Sequence, residues 1–265
     1  MSTLFVFIFG LAIGSFLNVL ILRIPEGKSI RGRSQCVACQ KTLHWFELIP
    51  LFSYIALRGK CRSCRVGISL QYPLVELATA LLFLFVFVQH SVLYTAPSVV
   101  QVFVIRDWIF ISILIVLFVQ DLRFQILPDI ITLPAIGIAV LFFFFSPAFQ
   151  DASSKLPVTS YEFLALAIGA LFFLLQWLVS RGRWVGGGDI RLGALMGAIV
   201  GWPNILLALF VAYISGAIVG GALLLFHRVT RKSQMAFGTF LAASTVFTMF
   251  WGDAIVQWYS KIIGL

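Results

Sequence analysis

Long runs of apolar residues, each close to the length of a membrane span, constrain this chain more than any other feature of its sequence. Of its 265 residues, 61% are apolar and only 11% are charged, whereas a soluble domain carries roughly a quarter charged residues. Because a membrane helix needs about 20 mostly apolar residues, the runs predict an all-α polytopic membrane protein with about eight transmembrane helices. The predicted segments are residues 4–22, 73–88, 104–119, 126–145, 163–179, 190–200, 205–226 and 237–256. The sixth is short enough that seven helices is the alternative.

One polar stretch, residues 23–72, separates the first apolar segment from all the others; we call it the polar island. The chain is therefore predicted to have three parts. These are a first transmembrane helix (1–22), a small domain outside the bilayer (23–72) and a transmembrane core of about seven helices (73–265).

Lysine and arginine are distributed unevenly between the two sides that these segments define. If the N-terminus lies outside the cell, 16 of the 19 basic residues fall on the cytoplasmic side, and only Arg106, Lys155 and Lys261 fall outside. Cytoplasmic loops retain Lys and Arg, so the polar island is predicted to be cytoplasmic. The net charge of +9 then reflects topology and attraction to anionic membrane lipids, and it requires no nucleic-acid partner. Basic residues follow the first apolar run, starting at Arg23, and do not precede it, which is typical of an anchor and not of a cleaved signal peptide.

All four cysteines lie in the polar island, as the pairs CVAC (Cys36 and Cys39) and CRSC (Cys61 and Cys64). Twenty-one residues separate the pairs, a spacing close to that of a four-thiolate zinc site. Thiols persist in a reducing cytosol, and a tetrahedral zinc would give so small a domain a fixed shape. Four thiolates leave no open position on zinc, so the ion is predicted to be structural. The alternatives are two unrelated pairs or a thiol redox centre, which would need access to an oxidising face.

Three acidic residues lie at the predicted cytoplasmic boundary: Asp121 and Asp129, in DLRFQILPD, and Asp189, in GGGDIRLG. Ionisable groups near the membrane are energetically expensive, so a function is the first hypothesis for them. Asp129 has a structural explanation, because it follows Pro128 at a helix start, where an acid is favourable. Asp121 has no such explanation, since it lies at the C-terminal end of a helix, where carbonyl dipoles disfavour an anion.

Two carboxylates that share one proton form the machinery of an aspartic protease, in which one activates water and the other hydrogen-bonds the substrate carbonyl. We select Asp121 and Asp189 as this pair; the alternative is two separate acids bonded to backbone or arginine. Asp189 opens a helix and Asp121 closes one, so Asp189 is predicted to be mainly the base and Asp121 mainly the acid. Glycines 186–188 leave room for an extended peptide, and Gly193 and Gly197 share the helical face of Asp189 and could receive a second helix, native or foreign.

Together these stretches resemble a type IV prepilin leader peptidase, a family of bifunctional prepilin peptidase/N-methyltransferases that are intramembrane aspartyl proteases. The matching stretches are GSFLNVLILRIP (14–25), the cysteine pairs, IPLFSYIALRGKCRSC (49–64), ISLQYPLVELAT (68–79), DLRFQILPD and GGGD. The match covers nearly the whole chain, and the combination is far more specific than any one piece.

The resemblance implies an enzyme of the bacterial inner membrane that cuts the short basic leader from type IV prepilins or type II secretion pseudopilins. The cut follows a glycine, on the cytoplasmic side. The resemblance also implies that Asp121 and Asp189 are catalytic and that the four cysteines bind zinc. It further implies N-methylation of the new N-terminal residue, usually phenylalanine, with S-adenosylmethionine as the methyl donor.

Two positions depart from the family pattern. Thr239, in AFGTFLA, stands where proline is usual, and Arg191 stands where lysine is common after GGGDI. No glycine-rich cofactor loop is visible after a strand, so methyl transfer is indicated by the resemblance alone. The main rival function is a proton-coupled transporter in which Asp121 and Asp189 relay protons. That rival predicts acids near the bilayer midplane on several helices, whereas both of these lie at one boundary.

Overall fold

The structure is a computed structural model that describes residues 2–93, 97–145, 158–226 and 235–264. Helices dominate the described residues, where β structure is limited to two isolated bridges in the polar island. A short 3-10 helix, Trp45–Leu48, precedes α2. The α-helices are α1 (Thr3–Arg23), α2 (Phe52–Ala56), α3 (Gln71–Leu93), α4 (Pro97–Phe124), α5 (Asp129–Phe145), α6 (Val158–Ser180), α7 (Gly187–Val200), α8 (Asn204–Leu225) and α9 (Phe237–Ile263).

Each of the eight predicted membrane segments corresponds to one of these helices. In the described part of the chain, six helices are long and apolar enough to cross a membrane: α1, α3, α4, α6, α8 and α9. The other two, α5 and α7, have 17 and 14 residues. The prediction of an all-α, multi-pass membrane protein is thus confirmed. The fourth segment was placed three residues too early, because the residue before Pro128 avoids the helical conformation and α5 begins at Asp129.

The chain forms two compact units, Met1–Val116 and Leu117–Leu265. Neither boundary of the three-part division (1–22, 23–72 and 73–265) is tested by these units, so that division stays a prediction. The predicted orientation also stays a prediction. Four basic residues that enter the charge argument lie outside the described residues: Lys155, Arg228, Arg231 and Lys232.

In the first unit, α1 packs closely against α3 through glycines. A methyl group on Gly10 would lie 2.6 Å from Cα of Ala80, and one on Gly14 would lie 2.7 Å from Cα of Glu76. In lipid, where apolar surface alone does not drive helix association, such close backbone approach supplies the packing energy.

In the second unit, α6 covers the glycine face of α7. A methyl group on Gly193 would collide with the carbonyl oxygen of Gly169 and the ring of Phe173, and one on Gly197 would collide with the carbonyl of Ala165. The predicted second helix on this face is therefore the chain's own α6, and a substrate helix must approach the acids from another side.

Gly197→Ala should destabilise the protein, because its methyl group meets helix backbone that cannot move independently. Overpacking of this kind costs about 1–3 kcal/mol, which we expect to lower the thermal unfolding temperature in detergent by several degrees. Gly221→Ala is the matched control, since a methyl group there has no neighbour within 4 Å. Equal unfolding temperatures for the two variants would contradict the packing described here.

Candidate functional site

The two Cys-x-x-Cys pairs form matching turns in the polar island. The N–H of Cys36 donates to the carbonyl of Lys41 at 3.0 Å, and the N–H of Cys61 donates to the carbonyl of Val66 at 2.9 Å. An isolated antiparallel bridge flanks each pair. The same local fold is therefore used twice to present two thiols.

The four thiols converge in a geometry that suits zinc. Their Sγ atoms all lie within 4.8 Å of one another, and Sγ of Cys36 is 3.7 Å from Sγ of Cys64. Tetrahedral zinc with Zn–S bonds of about 2.3 Å needs sulfur atoms about 3.8 Å apart. Backbone N–H groups of Cys39 and Ala38 lower the pKa of the Cys36 thiol to about 6, which favours the thiolate that a metal binds. The predicted grouping of the four cysteines is confirmed, and the residues fit a structural zinc ion.

Asp189 lies in the first turn of α7, a helix that is not one of the six candidate spans. Its Oδ2 accepts the N–H of Gly186 at 3.0 Å. Burial raises the pKa of Asp189 to about 6; the Gly186 hydrogen bond opposes this shift and the charge of Asp121 adds to it. A carboxyl group with such a pKa can take up and release a proton near neutral pH, as a general acid or base must.

Asp121 is buried in the last turn of α4, with 6% of its surface exposed. Its Oδ2 accepts the N–H of Thr239 at 2.8 Å, in the first turn of α9. Asp121 thus lies at the C-terminal end of α4, as predicted, and its carboxylate also lies at the N-terminus of a second helix, α9. Because both acids accept N–H groups at helix N-termini, the helix dipole no longer separates an acid from a base, and that assignment loses its physical basis.

Both acids belong to the second unit, and the side chain of Leu127 lies between the glycines beside them. A methyl group on Gly188 would lie 2.9 Å from Cβ of Leu127. A methyl group on Gly238 would lie 3.1 Å from Cδ1 of Leu127 and 2.9 Å from Oδ2 of Asp121. The side chain of Leu127 thus packs against the glycine beside each of the two acids.

Asp129 forms an ion pair with Arg191, which joins the start of α5 to α7. Both side chains are partly exposed. This ion pair supports the structural interpretation of Asp129. It also gives Arg191 a structural role, since Arg191 joins α7 to the start of α5.

Two residues near Asp121 were not identified as site residues from the sequence, Gly238 and Thr239. The stretch AFGTFLA carried a signal, because a glycine followed by a residue with a free N–H at a helix start can bind a carboxylate. A proline in place of Thr239 could not donate that hydrogen bond. The sequence departs from the family pattern at the position that contacts Asp121.

Comparison with known proteins bears on what this arrangement does. Residues 8–90 match the Bacterial Peptidase A24 N-terminal domain, and residues 108–221 match the Type IV leader peptidase family. The chain is 35% identical to the prepilin leader peptidase/N-methyltransferase of Bacillus subtilis (strain 168), over 97% of each chain. The chain belongs to the type IV leader peptidase family.

Two further relatives that carry the same name agree. The protein of Myxococcus xanthus is 40% identical over 83% of this chain and 63% of its own length. That of Pseudomonas aeruginosa is 30% identical over 96% of this chain and 92% of its own length. No solved structure matches the chain. Membership of the type IV leader peptidase family makes this membrane protein a peptidase, and the predicted family is confirmed. Asp121 and Asp189 fall inside the second matched region, and the cysteines inside the first.

On the hypothesis that Asp121 is a catalytic residue, Gly238→Ala should impair the peptidase by displacing its carboxylate. The added methyl group would lie 2.9 Å from Oδ2 of Asp121, so the carboxylate must shift. Misplacement of a reacting group by about 1 Å can cost about 100-fold in rate, and we expect a loss of about 10- to 100-fold in leader cleavage. Gly137→Ala is the control, because a methyl group there has no neighbour within 4 Å. A Gly238→Ala rate equal to that of Gly137→Ala would mean that the carboxylate has room to move without loss.

Proposed function

We propose that this protein is an aspartic endopeptidase that removes the leader from type IV prepilins or pseudopilins, with Asp121 and Asp189 as its catalytic pair. One observation carries the proposal. Two carboxylates from distant parts of the sequence are held in one unit, each by a helix N-terminal N–H and each beside a glycine at which no β-carbon would fit.

In the proposed reaction the pair holds one proton. The ionised carboxylate takes a proton from a water molecule, whose oxygen attacks the carbon of the scissile carbonyl. The protonated carboxyl donates a hydrogen bond to the carbonyl oxygen as negative charge develops there. When the tetrahedral intermediate breaks down, the C–N bond is cleaved, the amine takes up a proton, and the leader departs with a new carboxyl group.

The backbone N–H donors contribute by fixing the carboxylates before substrate arrives. The N–H groups of Gly186 and Thr239 each bind one Oδ2 atom, so each acid has one oxygen anchored. Its Oδ1 atom is then the one that we propose for water or substrate. Such preorganisation reduces the rearrangement that the reaction requires.

The proposed substrate has an apolar helix in the membrane and a short basic leader in the cytoplasm. The basic residues support a cytoplasmic site, because 16 of the 19 lie on one predicted side. On this orientation the N-terminus is outside, in the bacterial inner membrane, while the polar island and both acids are inside. Anionic lipids would be the natural surroundings of the basic island.

The polar island is proposed to hold one structural zinc ion on Cys36, Cys39, Cys61 and Cys64. A second activity, methylation of the new N-terminal amine, is proposed because the relatives are prepilin leader peptidase/N-methyltransferases. S-adenosylmethionine would supply the methyl group for that step.

The test is a cleavage assay with the full chain purified in detergent. We expect incubation with a prepilin to release the leader at a glycine, as measured by mass spectrometry. Addition of S-adenosylmethionine should then add one methyl group to the shortened pilin. A folded, metal-loaded protein that leaves the prepilin intact, but dissipates a proton gradient in vesicles, would replace the peptidase with the transporter.

A further inference from the structure

One apolar side chain lies close to the surroundings of both proposed catalytic acids. It is that of Leu127, which packs against Gly188, the residue before Asp189, and against Gly238, whose β-carbon position is 2.9 Å from Oδ2 of Asp121. Leu127 lies in the short connection between α4 and α5, and it is half-buried. Its position is fixed from the C-terminal side by the ion pair of Asp129 with Arg191. The loop that carries Leu127 is thereby tied to α7, two residues beyond Asp189.

The contacts of Leu127 with both glycines are tight. Methyl groups on Gly188 and Gly238 would lie 2.9 Å and 3.1 Å from its side-chain atoms, closer than ordinary contact between carbon atoms. The chain itself therefore has no room for a β-carbon on either side of Leu127. The side chain of Leu127 is also near Asp121, because the β-carbon position of Gly238 lies 3.1 Å from Cδ1 of Leu127 and 2.9 Å from Oδ2 of Asp121.

A peptide bond that reaches both acids would come close to this side chain, because Leu127 packs against the glycine beside each acid. We infer that Leu127 is a specificity-determining residue, whose side chain restricts the substrate residue at the scissile bond to glycine. A substrate residue with a β-carbon would meet Leu127 much as an alanine at position 188 or 238 would. This inference rests on the proposed function, since it concerns the choice of substrate and not the chemistry.

The test uses the full chain in detergent and three prepilins that differ only in the residue before the cut: glycine, alanine or valine. The wild-type chain should cleave the glycine substrate at least about 10-fold faster than the alanine substrate, because one methylene is worth about 10- to 200-fold in a fitted pocket. Leu127→Ala should raise the alanine-to-glycine rate ratio by about 10-fold. Leu127→Met, which conserves volume, should keep the wild-type ratio.

The rate ratio distinguishes selectivity from a structural role, because a merely misfolded site slows both substrates equally. If Leu127→Ala is inactive on every substrate, Leu127→Val tests the inference instead. It removes one methylene and should raise the alanine-to-glycine rate ratio by a smaller factor. An unchanged ratio in the active variants overturns the inference. If the wild-type chain cleaves none of the three prepilins, the proposed function itself has failed, which is a different result.

Discussion

Replacing Asp189 with asparagine should reduce leader cleavage by about 1,000-fold or more. Positioned acid–base groups contribute about 100- to 10,000-fold to enzymatic rates, and an amide can neither accept nor donate the proton. Asparagine keeps the size of aspartate and an oxygen that can accept the N–H of Gly186, so the first turn of α7 should stay intact. Asp121→Asn should have an effect of similar size, because the N–H of Thr239 can still bind the amide oxygen.

Initial rates on one prepilin, measured by separating pilin from leader on gels or by mass spectrometry, check this expectation. The double variant should be no slower than either single variant, since two groups that share one proton act as a unit. Asp253→Asn is the matched control. Asp253 accepts a hydrogen bond from Asn204 at 2.7 Å, and it lies 14 residues after Thr239 on α9, about 21 Å along the helix axis. A fully active Asp189→Asn protein would contradict the proposed aspartic mechanism.

The membrane architecture was predictable because its signal is long and repeated. Each apolar run spans many residues, so an error of two or three at an end leaves the helix in place. Several helix ends lie farther from the prediction, because the helix continues past its apolar run: α4 begins at Pro97 and not at residue 104, and α9 ends at Ile263 and not at residue 256. At Pro128 local chemistry shortens the helix instead, and the first residues of the predicted segment lie outside α5. The short α2 and the 3-10 helix before it carry too few residues to show a period.

The site was only partly predictable, because sequence spacing reports local neighbours and not distant ones. Asp121 and Asp189 could be paired, as two unexplained charges at one boundary. The N–H donor to Asp121 could not be predicted. Thr239 is 118 residues away, and it donates through its backbone N–H, which every residue except proline has. Small residues on α7 likewise indicated a close neighbour, but nothing in their spacing identified α6.

The cysteines show the opposite case, in which local spacing was sufficient. A Cys-x-x-Cys turn is built within a few residues, so two such turns need only one long-range contact to form a tetrahedron of sulfur atoms. The sulfur distances agree with this expectation.

Cys36→Ser should remove zinc from the purified protein. Structural zinc contributes about 10–16 kcal/mol to small domains, so the loss of one thiolate of four, about a quarter of this, should weaken binding by roughly 100- to 1,000-fold. Metal analysis after dialysis against a mild chelator measures this. Ser63→Ala, which lies between Cys61 and Cys64 and leaves all four thiols in place, should retain one zinc ion per chain.

The polar island should lose its fixed shape together with the metal. Nine of its residues are Lys or Arg, so trypsin reports its folding directly: we expect rapid cleavage of Cys36→Ser in this region and slow cleavage of Ser63→Ala. Asp189→Asn should resist trypsin and keep its zinc, because its change lies in the other unit. Metal and acid substitutions should therefore separate into two independent phenotypes.

Full zinc content in Cys36→Ser after this dialysis would contradict the expected loss of affinity. Three thiolates would then hold zinc with a water or hydroxyl oxygen in the fourth place, and an exchangeable fourth place is what distinguishes catalytic zinc from structural zinc. The exposure of Cys39 and Cys64 allows solvent to reach that fourth place. In the unsubstituted chain the four Sγ atoms lie within 4.8 Å of one another, which favours a structural ion because all four thiolates can bind one zinc and leave no place for water.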